Sequence, residues 1–201
     1  MSQVKFPNRI LQRFVETVSI ELGSDQFNAM LSLSKLPEEW GEPKTFSKTD
    51  PAEAAKTYAS LQAALRTYYG RGARGALIRV GQSLWRHLLD DAALGGKAQA
   101  AVVKRLPLSM RRKPALELLG RFISTASGDV TVHTLDLDLL LADHVSPNTD
   151  GRSASAPICF VTHGLVRESL FWATGTSYDV EETSCKAMGE EACEFTITGG
   201  Q

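Results

Sequence analysis

Apolar positions recur at helical spacing through the first 125 or so residues and then change to strict alternation. Ile10, Leu11, Phe14, Val15 and Val18 predict a helix with Asn8 at its N-cap and Gly23 at its end. Ser24 or Asp25 can cap a second helix running through Met30 to Leu33. Residues 36–50 hold two Pro and one Gly and predict a loop. Asp50-Pro51 predicts a helix start, an N-cap followed by Pro at the first helical position, and an alanine-rich stretch follows to Tyr69. After Gly70 a helix from about Arg74 to Asp90 carries Leu77, Leu84, Trp85 and Leu88, and Gly95-Gly96 is expected to break it. Two shorter helical pieces, interrupted by Pro107 and Pro114, end near Ser127-Gly128. Val130 to Leu139 then alternates with period two and predicts a half-buried strand. A polar loop over 145–157, a helix over 158–173 and two short strands near Tyr178–Thr183 and Glu194–Ile197 complete the chain, with Gly175 and Met188-Gly189 at the turns. No repeat of fixed period is present. The expected fold class is α+β, a helical N-terminal half over 1–127 packed on a small, mostly antiparallel sheet over 128–201, in one continuous domain.

Composition narrows the function. The chain has 201 residues, enough to bury a core without disulfide staples. Its 22 Lys plus Arg stand against 23 Asp plus Glu, so it lacks the basic excess of a typical nucleic-acid binder. No apolar run reaches the roughly 18–20 residues of a membrane span. The first residues lack the basic-then-apolar pattern of a signal peptide, which predicts a cytoplasmic protein with reduced thiols. Three cysteines, an odd number, argue against a disulfide framework.

Three segments carry candidate chemistry. Gly70 to Gly75 matches G-x-G-x-x-G, but the motif needs a preceding strand and here follows an alanine-rich helix; the competing reading is a junction between helices. Lys104-Arg105 and Arg111-Arg112-Lys113 form a basic cluster, read as a solvated helix end. Near the C-terminus Cys185 and Cys193 stand eight positions apart, Glu182 precedes Cys185 by three, and Cys159 lies 23 before Glu182. Three thiolates and a carboxylate are enough for a closed tetrahedral zinc site. Three small buried hydrophobes are the alternative, because free Cys most often plays that part.

The run Cys159-Phe160-Val161-Thr162-His163-Gly164, then Gly175, then Glu181 to Cys193, resembles the 4-vinyl reductase domain family. It is most similar to the zinc-containing branch that senses phenol and xylene in transcription activators. That resemblance implies a ligand-binding fold shared with vesicle-tethering subunits. It also implies a structural zinc on Cys159, Glu182, Cys185 and Cys193, with Lys186 or Arg167 offsetting the excess negative charge. Phenol sensors carry a Trp about twenty residues before the first Cys, and this chain has none between Trp85 and Trp172. Weak phenol binding and a larger hydrophobic ligand are therefore expected. The pocket is expected between the alternating strand, the 158–173 helix and the next strand. Its residues are predicted as His133, Leu135, Leu137, His163, Trp172 and Val180, because the His133/Leu135/Leu137/Leu139 set buries leucines and the opposite set would bury carboxylates.

The resemblance supports a small-molecule sensor or carrier that pairs as a homodimer through the Asp50–Asp90 helices. A tetrapyrrole-biosynthesis protein and a scaffold subunit are the alternatives. No nucleophile–base constellation or hydride-cofactor site is found: Ser153, Ser155 and His163 lack triad spacing, so no enzymatic activity is expected.

Overall fold

The computed structural model describes residues 4–199. Among them, helices α1 (Asn8–Leu22), α2 (Ser24–Leu33), α3 (Pro51–Tyr69), α4 (Ala73–Asp90), α5 (Leu94–Arg105) and α6 (Arg112–Ile123) precede the hairpin β1 (Val130–Leu135) and β2 (Asp138–Asp143). Helix α7 (Phe160–Thr174), β3 (Asp179–Ser184) and β4 (Cys193–Thr198) follow. The fold is α+β, as the period change along the chain predicts. All pairings are antiparallel and the sheet order is β1-β2-β4-β3. No helix among the described residues is long and apolar enough to cross a membrane.

Local signals explain most element ends. The Asp50 carboxylate accepts from Ala52 N at 2.8 Å and Glu53 N at 3.4 Å, capping α3 where Pro51 needs no donor. Three expectations are corrected. Pro7, not Asn8, occupies the cap position of α1, and the Asn8 side chain donates to Ser47 O. Gly95-Gly96 does not break a helix but opens α5; a Cβ at Gly96 would stand 3.0 Å from the Phe122 ring and 3.1 Å from Ala92 Cβ. Pro114 lies in the first turn of α6, where no backbone donor is required.

The predicted single strand is a hairpin. Asp136 takes a left-handed φ of 54°, which Asp tolerates better than most side chains, and the chain reverses at Asp136-Leu137. The reversal also resets which residues face inward. Val132 pairs with Leu141 and Thr134 with Leu139, so even positions of β1 share a face with odd positions of β2. The inner face collects Val132, Leu139, Leu141, Phe195, Ile197 and Val180. Outward-facing His133 and Leu135, and Leu137 at the turn, are exposed, contrary to the expected inward set.

Helix α7 lies between the sheet and α4. The two helices cross at Gly81 and Gly164, whose Cα atoms face each other so closely that an added Cβ on either would sit 3.0 Å from the other's Cα and collide with a backbone carbonyl, that of Val161 or Ile78. Only glycine permits this approach. The C-terminus of α7 is held by part of the basic cluster: Lys104 Nζ donates to Trp172 O, and Arg111 to Ala173 O at 3.1 Å. Cations suit the negative end of a helix. Apolar residues of α3 and α4 point into the core, and their solvent side carries Glu53, Lys56, Arg74, Arg79 and Arg86. That charged face gives no support to pairing through these helices.

Candidate functional site

Cys159, Glu182, Cys185 and Cys193 come together, all buried, with one ligand atom from each within 4.8 Å of the others. The sulfurs are 3.4 Å (Cys159–Cys193), 3.9 Å (Cys159–Cys185) and 3.9 Å (Cys185–Cys193) apart. A disulfide needs about 2.05 Å, so all three remain free thiols. The elements supply the ligands for definite reasons. Cys159 immediately precedes α7, and its backbone N donates to Glu182 Oε2 at 2.9 Å. Cys193 opens β4 on the inner face, in line with Phe195 and Ile197.

Glu182 and Cys185 pose a parity problem, because residues three apart on a regular strand face opposite ways. A β-bulge solves it. Glu182 pairs with Phe195 but Ser184 pairs with Glu194, so Thr183 is an extra residue. Just past the end of β3, the Cys185 sulfur lies 3.9 Å from that of Cys193. The bulge thus turns Glu182 and Cys185 to the same side.

Electrostatics fit a bound cation. Burial pushes Glu182 up to about 8. Hydrogen bonds to Cys185 and Cys193, with burial, push Cys159 well above an ordinary thiol. Cys193 rises to about 12, its lowering bond with Cys159 outweighed by Cys185 and burial. Hydrogen bonds from the Cys159 and Cys193 thiols pull Cys185 down. Glu182 Oε1 is buried without any hydrogen-bond partner. Such an orphaned acceptor beside three thiols is where a divalent cation fits, and only a cation lets all four groups ionise together.

Around the cluster, the backbone N of Lys186 donates to Cys193 Sγ at 3.3 Å, whereas its ammonium turns to Glu191 O. Arg167 is exposed on α7. Sequence reasoning missed Ser146. Its hydroxyl accepts from the Cys193 thiol at 3.1 Å and lies 3.6 Å from Cys159 Sγ. Ser146 adopts a left-handed φ of 42°, held by its N donating to the buried Asp143 carboxylate at 2.7 Å. Nothing in the string Val145-Ser146-Pro147 signals this.

The same loop borders a cavity of about 20 Å³ between α1, α3, α7 and β1. Phe6, Ile10, Tyr58, Val130 and Leu165 make it mainly apolar, with Asp143, Asn148 and Thr162 as polar lining. Buried Gln62 donates to Asn148 Oδ1 at 2.8 Å, and Asn148 donates to Thr162 Oγ1 at 2.9 Å. None of the six predicted pocket residues lines it. His163 and Val180 are buried where α7 meets the sheet, and burial lowers His163 to about 4. Trp172 packs on Trp85 with ring centroids 5.6 Å apart. His133 bonds Thr131 on the outer face. Within the Gly70–Gly75 stretch, Gly70–Gly72 form a 3-10 turn after α3 and Ala73–Gly75 open α4, with no strand before them.

Residues 146–198 match the V4R domain family, and the match contains all four clustered ligands. The match covers the C-terminal quarter of the chain. Among solved structures similar to it is the phenol-responsive sensory domain of the transcription activator PoxR with phenol. It aligns over 70% of this chain and 73% of its own at 16% identity, with a TM-score of 0.50. An H-NOX protein from S. oneidensis in the Fe(II)NO ligation state covers 94% of this chain and 97% of its own at 14% identity and TM-score 0.57. An oxygen-binding H-NOX domain related to soluble guanylate cyclases covers 95% and 93% at 12% identity and TM-score 0.52. At these identities the likeness is one of fold. No curated protein matches the sequence.

Proposed function

We propose that the protein is a small-molecule-binding sensor or carrier domain whose pocket is kept in shape by a structural zinc. The buried, closed donor set of Cys159, Glu182, Cys185 and Cys193 inside the V4R domain carries this reading. Zn–S bonds of about 2.3 Å in a tetrahedron place sulfurs about 3.8 Å apart. The separations here, 3.4 to 3.9 Å, support that metal. Four protein ligands leave no open position, so the ion would tie the start of α7 to β3 and β4 and do no chemistry.

The ligand side of the reading rests on the cavity beside the metal loop and on likeness to a sensory domain solved with phenol. The cavity has room for about one water, so its wall must move to admit a ring-sized molecule. Tyr58, Asn148 and Thr162 offer the polar handles, and Phe6, Ile10 and Leu165 the apolar wall. An apolar or aromatic ligand with one or two polar groups suits that lining. Homodimerisation and a reducing, cytoplasmic setting complete the proposal.

Native mass spectrometry tests it. The expected result is one zinc per chain, lost in Cys185→Ser, together with dimer mass and any carried ligand. Absence of zinc would remove the metal half. Calorimetric titration with phenol, larger aromatics and fatty acids tests the ligand half; a Tyr58→Phe variant should weaken whichever compound binds.

A further inference from the structure

Half of the ten residues from Lys104 to Lys113 are basic and none is acidic. At their centre is a 3-10 turn, Leu108–Met110, and both of those end residues are 60% exposed. The tip of the β1–β2 hairpin lies against it. Arg112 Nη1 donates to Leu137 O at 3.0 Å, and its guanidinium stands 4.9 Å from the Tyr178 ring. Leu137 at that tip is 85% exposed. Leu108, Met110 and Leu137 are therefore exposed on two turns that the Arg112–Leu137 hydrogen bond ties together, and five cations lie in the segment that carries the first two.

The charges are uncompensated. Ion pairs among the described residues are Arg13–Glu16, Arg13–Asp91 and Arg86–Glu168, and none uses this segment. Lys104, Arg111 and Arg112 point at main-chain carbonyls, which fixes the segment without neutralising it. Asp136 and Asp138 flank the hairpin tip and exposed Glu117 lies one turn after Lys113 on α6; the five cations outnumber these three.

We propose that this face docks on an anionic lipid bilayer. Leu108, Met110 and Leu137 insert at headgroup depth while Arg105 and Lys113, backed by the three anchored bases, meet lipid phosphates. Protruding apolar tips favour lipid over a folded protein partner, because fluid headgroups close around a convex surface whereas a protein must offer a matching groove. A nucleic acid would use the cations but gain nothing from the three apolar tips.

Vesicle flotation of the full chain tests the proposal, with phosphatidylcholine alone and with about one third phosphatidylserine, where binding should rise at least about tenfold. Salt at about 0.5 M should abolish most of that gain. Leu108→Asp with Met110→Asp should lower binding to the anionic vesicles about tenfold at unchanged melting temperature, since both residues are exposed. Arg105→Glu with Lys113→Glu should bring it to the neutral-vesicle level. Equal binding to both vesicle types, or no binding to either, overturns the proposal. So does a Leu108→Asp, Met110→Asp protein that binds like the parent, because charge alone would then account for the attraction.

Discussion

Helices α7 and α5 are of similar length, yet their fates differ. Ten of the fifteen residues of α7 are buried, and α5 buries Val103 alone. The reason lies in what each can approach. Gly164 lets α7 lie on α4 at backbone distance, and Cys159 and His163 place its first turn against the thiol cluster and the sheet. Helix α5 has Gly95 with open space around it and Ala98, Ala101 and Val102 toward solvent. Larger apolar side chains in α7, among them Leu165 and Leu170, and its close approach to another backbone act together. The low-stability end of the molecule is expected at α5 and the high end at α7.

The largest effect expected on the α7 side is loss of the metal. Cys185→Ser should release it and lower the melting temperature by about 10 °C or more, since 1 kcal/mol corresponds to about 2–4 °C in a chain of this size. Scanning calorimetry with metal analysis checks this, and an unchanged transition would sink the structural role.

Next is the crossing itself. Gly164→Ala should cost about 3 kcal/mol or more, because the added carbon meets backbone that cannot move aside. Gly95→Ala on α5, with open space around it, should be neutral or stabilising by up to about 1 kcal/mol. Urea unfolding of the pair measures the contrast, and similar losses at both sites would refute it.

A third test uses acid. His163 is held neutral, near 4 when folded against 6.5 for an ordinary imidazole. Because the folded state binds fewer protons in that interval, stability is fully present above about 6.5 and is lost as pH falls toward 4, by at most about 3 kcal/mol. Acid also protonates the metal ligands, so the readout is the difference between parent and His163→Gln, which should unfold with a flatter pH profile. A smaller effect is Val103→Ala in α5, expected at about 1–2 kcal/mol. Leu94→Ala, at a residue 88% exposed, should change almost nothing.

How far these features could be read in advance depends on the length scale of their cause. The helix start at Asp50-Pro51 and the gathering of Cys159, Glu182, Cys185 and Cys193 were legible, because capping and ligand chemistry show in residue type and spacing. The face presented by His133 and Leu135 was not. A turn at Asp136-Leu137 has none of the usual Gly or Asn signal, and an unnoticed reversal breaks the alternation, so the inward position of Leu139 no longer fixes that of His133 and Leu135 before it. The bulge at Thr183 was invisible for a similar reason, although the Glu182–Cys185 interval of three was its only trace. The cavity could not be found at all, since Phe6, Tyr58, Val130 and Leu165 are distant in sequence and meet only in three dimensions.

The Gly81–Gly164 contact has a consequence for how this chain can change over time. Most tight packing is repairable, because a larger residue on one side can be offset by a smaller one opposite. Here both sides already hold the smallest residue there is. A substitution at either position therefore has no second-site remedy in the facing side chain, and relief could come only from moving a whole helix. The two positions behave as a locked pair, closed to the gradual exchange by which the rest of the core can drift.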